Sequence, residues 1–162
     1  MPGAHPQAFM TEDLLFQRFQ PEHYTEYASW FADPELNRRL GPMDSDWLAA
    51  VLSQPETEGV TWAALRGAQL VAVVETALDP QRRLPAVITA IATRPALRRQ
   101  GIGSLVLAQI LSLHRSQGIR EHLAFVAVDS PGARRCLEKA GFVPVTPGPD
   151  AHGYLTYRHA HP

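Results

Sequence analysis

Apolar and polar positions alternate from Leu14 to Phe19, the period of a half-buried strand. The pattern then changes to steps of three and four. Tyr24, Tyr27, Ala28 and Phe31 share one side of a helix over Pro21–Phe31. Asp33-Pro34 opens a second short helix that ends near Gly41-Pro42, and Asp44 or Ser45 can cap a third carrying Trp47, Leu48, Val51 and Leu52. Thr61–Leu65 and Leu70–Leu78 read as strands joined by a hairpin turn at Arg66-Gly67-Ala68-Gln69. Val87–Thr93 is a further strand, and Ile102–Leu113, rich in Leu, Ile, Val and Ala, a helix. Leu123–Val128 is a continuous apolar run, as in a strand buried on both faces. Phe142–Val145 and Tyr154–Tyr157 form a closing strand pair around the Pro147-Gly148-Pro149-Asp150 turn region. The order is one strand, helices, three strands, helix, strand, helix and two strands, which places the chain in the α/β (α+β) class.

Length fits a single domain: 162 residues can bury about two-thirds of the unfolded surface. Met1–Met10 holds two prolines, a glycine and no periodicity, so residues 1–10 are expected to be disordered and 11–162 to form the domain. A net charge of −1 gives no general pull toward nucleic acid or an anionic membrane. No run approaches the ~20 apolar residues of a membrane span, and the N-terminus lacks a signal-peptide core. Cys136 is the single cysteine, which excludes an intrachain disulfide, and it falls on the apolar face of its helix as a small buried side chain. A reduced, cytoplasmic setting is the expectation.

The chemistry concentrates in Ile91–Ser104, where an apolar strand meets an apolar helix through the basic turn Arg98-Arg99-Gln100-Gly101-Ile102-Gly103-Ser104. Glycines let a backbone approach a ligand closely, and a helix start offers unpaired N–H donors and partial positive charge. Together with Arg98 and Arg99 they suit a phosphate or pyrophosphate. A dinucleotide fingerprint would need a third glycine where Val106 stands, and no P-loop Gly-Lys-Ser/Thr occurs. The order Arg98-x-x-Gly101-x-Gly103 after Ile91-Ala92-Thr93 resembles the acetyl-CoA motif of GNAT-type N-acetyltransferases. A second segment, Ser130-Pro-Gly-Ala-Arg-Arg-Cys-Leu-Glu-Lys-Ala-Gly-Phe142, resembles that family's later motif Asn-x-x-Ala-x-x-Leu-Tyr-Glu-Lys-x-Gly-Phe. Ala133, Glu138, Lys139, Gly141 and Phe142 match as they stand. In physical terms this is a short helix with Ser130 as N-cap, Pro131 at its first position and Gly141 ending it.

The resemblance spans about residues 12–158. It implies a mixed, mostly antiparallel central sheet of about seven strands with a splayed parallel pair at its centre, flanked by about four to five helices. It also implies acetyl-CoA as co-substrate, with its pantetheine arm between the strands ending at Thr93 and Asp129. Backbone groups of Ile91, Ala92 and Thr93 would pair with that arm like an added strand. Arg98, Arg99, Gln100, Gly101, Ile102, Gly103 and Ser104 would hold the pyrophosphate, with Ser130 and Ala133 as further contacts. No metal is implied. Gly101→Val or Gly103→Val is expected to block the pyrophosphate while leaving the fold largely intact.

Two positions depart from the family pattern. Leu137 stands where many members carry a Tyr proposed to protonate the leaving thiolate, and Ser130 stands at the Asn position. Phe125 occupies the place of a Glu found on the preceding strand in members that acetylate ribosomal protein N-termini. Among bases that could deprotonate an amine, Glu75 is the first candidate, a carboxylate following the apolar Leu70–Val74 segment; Asp129, at the end of the splayed strand, is the second. His114 and His122 titrate in a useful range but read as surface or structural histidines. Ser130, Tyr154 or water could reprotonate the thiolate. The expected activity is transfer of an acetyl group to a primary amine by direct attack in a ternary complex. The acceptor stays open between a small-molecule amine, an aminoglycoside and a peptide N-terminus, and a homodimer is possible. The competing reading, motivated by Leu137 and Phe125, is a non-catalytic acyl-CoA-binding protein.

Overall fold

A computed structural model describes residues 7–11 and 13–162. The chain runs β1 (Ala8–Thr11), β2 (Leu14–Arg18), α1 (Pro21–Ser29), a short 3-10 turn at Trp30–Ala32, α2 (Pro34–Leu40) and α3 (Ser45–Ser53). There follow β3 (Thr61–Arg66), β4 (Gln69–Ala77), β5 (Ala86–Thr93), α4 (Ile102–Ser116), β6 (Glu121–Ala127), α5 (Pro131–Lys139), β7 (Val143–Pro144) and β8 (Tyr154–Ala160). Helix starts are set by local chemistry. Asp33 accepts a hydrogen bond from the Leu36 N–H at 2.9 Å and Asp44 one from the Trp47 N–H at 3.1 Å, each satisfying an orphan donor of the first turn. Ser130 does not behave as expected: its side chain caps nothing, and α5 starts on Pro131 alone.

The strands form one sheet in the order β1-β2-β3-β4-β5-β6-β8-β7. Every neighbouring pair is antiparallel except β5 and β6. The expected mixed sheet with a central parallel pair is therefore present, with eight strands instead of about seven. The additional strand is β1, drawn from the segment expected to be disordered. Phe9 stacks on Phe16 at 4.7 Å between ring centroids and meets Trp62 edge-on at 5.2 Å, which supplies a burial that periodicity alone did not reveal. Residues 1–6 of that expectation lie outside the described residues.

Two cores lie on opposite faces of the sheet. On one, α4 and α5 bury Val106, Leu107, Ile110 and Leu137 against Trp62, Val74, Ile88, Ala124 and Tyr157. On the other, α1, α2 and α3 cover Ala63, Val73 and Ala92 with Phe19, Tyr27, Trp30 and Leu36. The second helical layer stops at β5, so the same face of β6, β8 and β7 is left open, with Phe125, Val143 and Tyr154 exposed on it.

His114 on α4 and His122 on β6 are fully buried beneath the first layer, Nδ1 of one 2.8 Å from Nε2 of the other, with one ring donating and the other accepting. These are structural histidines, more deeply buried than the sequence suggested. Burial, followed by the neighbouring His159 and His161, lowers His122 to about 4. A depressed histidine stabilises the fold fully above its unfolded value near 6.5 and loses that stabilisation as pH falls toward the folded value. Stability against urea is therefore expected to fall between pH 6.5 and 4, with His122 contributing about 3 kcal/mol of the loss by pH 4. A urea midpoint that stays level across that window would contradict this.

Candidate active site

The parallel pairing of β5 with β6 is short: Ala86, Val87 and Ile88 face His122, Leu123 and Ala124, and there it stops. Beyond Ile88, β5 pairs only with β4, through Ala90, Ile91, Ala92 and Thr93. Beyond Ala124, β6 pairs only with β8, through Phe125, Val126 and Ala127. A sheet interior thus opens into a fork, and each arm presents a row of backbone N–H and C=O groups with no strand opposite. The register between β4 and β5 slips at the same level, from Glu75 opposite Ala90 to Thr76 opposite Ile88, so Thr89 is an extra residue on β5. Such a bulge bends a strand and increases its twist, which turns β5 away from β6.

Below the fork, β5 runs into the basic turn. Arg99 (φ +64°) and Gly101 (φ +78°) both take left-handed conformations in the turn just before α4. The first intrahelical bond is from Leu105 N–H to Gly101 C=O at 3.1 Å. The N–H groups of Ile102, Gly103 and Ser104 precede it, and no side chain caps this end. No acidic residue sits in the first turn. A Cβ on Gly101 would meet nothing within 4 Å, so the turn is open to the outside. These features fit an anion's pyrophosphate oxygens: free donors, positive dipole end, unobstructed approach.

Gly103 differs. A Cβ there would lie 2.8 Å from Cys136 Sγ and 3.6 Å from Thr93 Oγ1. The glycine lets α4 sit tightly on α5, so the expectation that Gly103→Val would spare the fold is corrected. Burial pushes the Cys136 thiol up, against an opposing hydrogen bond with Ser104, so it stays protonated and acts as packing.

Two ion pairs tie α2 to the fork. At the N-terminus of α2, Asp33 receives both terminal nitrogens of Arg98, at 2.8 and 3.2 Å. At its C-terminus, Arg39 donates to the Asp129 carboxylate at 2.9 Å and to the Asp129 carbonyl at 3.2 Å. One end is fastened to the loop after β5 and the other to the loop after β6, so α2 spans the mouth of the fork as a strap. Sequence reasoning missed both contacts, because the partners are 65 and 90 residues apart and carry no local pattern. Arg98 therefore points at Asp33 in this structure and not into the open turn.

The proton acceptors now separate. Glu75 lies on β4 on the side of the fork covered by α1 and α3. Burial raises its carboxyl above the ordinary value, opposed by a hydrogen bond from Trp47. Its charge in turn adds to the burial that raises the Tyr27 phenol. Burial that favours the protonated form makes this carboxylate a stronger proton acceptor than an exposed one. Asp129 is exposed, and Arg39, helped by Arg38, holds its carboxyl below the usual carboxylate range. A carboxylate so stabilised is a weak proton acceptor, so Asp129 is better described as the anchor of the strap. Ser130 stands half-buried at the same lip, and Ala133 packs against the main core. Leu137 is 5% exposed among core residues and supplies no acid. Glu138 accepts a hydrogen bond from the Tyr157 hydroxyl at 3.0 Å, which fixes α5 on β8. Among the described residues, no cluster of three or more His, Cys, Asp or Glu side chains could hold a metal ion, and no helix is long and apolar enough to cross a membrane.

Comparison with known proteins places this geometry. No curated protein matches the sequence. Solved structures do, across almost their whole length. An acetyltransferase from Thermus thermophilus superposes with a TM-score of 0.76 at 16% identity, covering 93% of this chain and 98% of that one. AAC(6')-Ib, solved with paromomycin and acetyl-CoA, gives 0.73 at 14% identity, covering 93% and 94%. The ribosomal-protein-S18-alanine N-acetyltransferase from Escherichia coli gives 0.67 at 16% identity, covering 91% and 93%. At such identities the likeness speaks for the fold. The family model for the acetyltransferase (GNAT) family matches residues 14–142, which takes in the fork, the basic turn and both sequence motifs. The chain belongs to the acetyltransferase (GNAT) family.

Proposed function

We propose that this chain transfers the acetyl group of acetyl-CoA to a primary amine by direct attack within a ternary complex. The observation that carries the reading is the fork itself, with an uncapped helix start on one side of the sheet opening and a desolvated carboxylate on the other. Acetyl-CoA suits the site: the N–H groups of Ile102, Gly103 and Ser104 and the side chains of Arg99 and Gln100 receive the pyrophosphate, and Ile91, Ala92 and Thr93 offer the open edge of β5 to the pantetheine amides. Ser130 and Ala133 border the thiol end.

An alkylammonium with a pKa of about 10.4 is neutral roughly one part in a thousand at pH 7. Glu75 takes its proton, and the freed nitrogen forms a bond to the thioester carbonyl carbon. The C–S bond breaks as the tetrahedral intermediate collapses, the CoA thiolate leaves with its electron pair, and the second proton released by the acylated nitrogen passes to solvent, from which the thiolate takes one. Backbone N–H groups on the open arm of β5 polarise the carbonyl oxygen as charge builds on it. Leu137 leaves the thiolate step to solvent, and binding geometry supplies much of the rate.

Arg98 is shared between the cradle and the strap. Asp33→Asn keeps a good helix cap while deleting the charge that holds Arg98. It is expected to tighten acetyl-CoA binding about threefold to tenfold in calorimetry, because the guanidinium then turns to the pyrophosphate without breaking an ion pair. Weaker binding in this variant would show that Arg98 serves the strap alone.

The second reading, a non-catalytic acyl-CoA-binding protein, is favoured by the burial of Leu137. Release of CoA thiol across a panel of primary amines separates the two. Amine-dependent release above hydrolysis supports transfer; tight acetyl-CoA binding with no release by any amine supports the binder.

A further inference from the structure

The two arms of the fork differ in chemistry on the face that carries Glu75. Ile88 and Ala124, the last parallel partners, both point into the main core, so the next residue on β6, Phe125, points to the opposite face. Val74 also points into the main core, so its neighbour Glu75 points to that opposite face too. Glu75 and Phe125 therefore stand on the same face on either side of the opening, with at least two strand spacings, about 10 Å, between them because β5 and β6 have parted there. That gap matches a small acceptor.

The β6 arm is apolar. Phe125 is 52% exposed, its cross-strand partner is Thr156, and the next outward pair is Ala127 with Tyr154, itself 44% exposed. An aromatic side chain this open at the lip of a cleft is solvated at a cost that a bound apolar group would relieve. The carboxylates that could hold a polycation here are already engaged. Asp33 is paired with Arg98, Glu35 with Arg38 and Arg39, and Asp129 with Arg39. Glu75, held by the Trp47 indole and, among the described residues, by no arginine, meets one ammonium group, in the manner the amine requires before it loses its proton.

We propose that the acceptor is a monoamine carrying an aryl or branched alkyl group, with Phe125 and Tyr154 as the wall that selects it. This rests on the acetyl-transfer reading above and names the substrate class for the same site. Polycationic amines are disfavoured because Asp33, Glu35 and Asp129 already hold arginines.

The test uses the full chain loaded with CoA, titrated by calorimetry with 2-phenylethylamine, ethylamine and spermidine, and in parallel CoA release from acetyl-CoA with the same amines. Phenylethylamine is expected to bind at least tenfold tighter than spermidine. Phe125→Ala, a substitution at an exposed position, is expected to remove about tenfold of phenylethylamine affinity while leaving ethylamine and acetyl-CoA within twofold. Phe125→Glu is expected to shift preference toward spermidine. Tighter binding of spermidine by the wild type, or phenylethylamine affinity unchanged in Phe125→Ala, overturns the proposal. So does a dimer that Phe125→Glu dissociates with no change in acceptor preference, since the wall would then be an interface between two copies. Selective phenylethylamine binding without CoA release upholds the wall and instead overturns acetyl transfer.

Discussion

Glu75→Gln is expected to lower kcat/KM for amine acetylation about a hundredfold or more while leaving acetyl-CoA affinity within twofold. Glutamine keeps the volume and can still accept the Trp47 N–H, so the loss isolates the proton transfer. The pH profile carries the same information. In the wild type, activity rises as pH passes the elevated Glu75 value, because only the carboxylate accepts a proton; in the variant that limb disappears and the amine's own ionisation remains. Stability moves the other way. A carboxyl whose folded value is raised stabilises the fold in its protonated state, below the unfolded value near 4.5, and that contribution is lost as pH climbs through the folded value. Above its raised folded value the wild type holds a partly desolvated charge that glutamine removes, so in that range Glu75→Gln is expected to be at least as resistant to urea as the wild type. Loss of activity together with loss of stability would point to a structural carboxylate instead.

The two glycines of the basic turn are expected to fail differently. Gly101→Val places a β-branched residue at φ +78°, at an exposed position with open space around it. Its fold should survive with a cost of about 1–2 kcal/mol, while acetyl-CoA binding weakens tenfold or more. Gly103→Ala forces Cβ against Cys136 Sγ at 2.8 Å, so the Cys136 side chain or α5 with it must shift and stability falls by roughly 1–3 kcal/mol. Adding Cys136→Ala removes the clashing sulfur and should restore most of that stability. If the double variant regains stability but still binds acetyl-CoA poorly, Gly103 also serves the close backbone approach. If it regains both, Gly103 is a packing glycine. Parallel urea melts and calorimetric titrations of the three variants decide between them.

The features legible in the sequence were those written in short-range pattern. The turn from Arg98 to Ser104 announced itself by two glycines between an apolar strand and an apolar helix, and Asp33 and Asp44 marked helix starts that the structure confirms. Alternation and apolar runs located β2 through β6. What escaped notice depends on contacts between distant residues. Ala8–Thr11 looks featureless until Phe16 and Trp62 are placed beside Phe9. The bulge at Thr89, which turns the strand where the fork begins, is a matter of register between β4 and β5. The strap depends on Asp33 and Asp129 finding arginines far along the chain. Ser130 shows the converse: a good capping residue type at a helix start whose side chain makes no cap, its backbone (φ −116°, ψ 76°) lying outside the extended geometry an N-cap takes. Glu75 stood out by its apolar surroundings, but its partners Trp47 and Tyr27 arrive from other elements, and it is the burial they supply that raises its carboxyl while arginines lower that of Asp129.

Everything proposed for the site depends on the open arm of β5 and the uncapped start of α4 receiving acetyl-CoA. Isothermal titration of acetyl-CoA into the purified protein tests that claim most directly. The account predicts one molecule bound per chain at micromolar strength, with affinity falling tenfold or more in Gly101→Val. Absence of binding to the folded wild-type protein, or equal affinity in that variant, would contradict it.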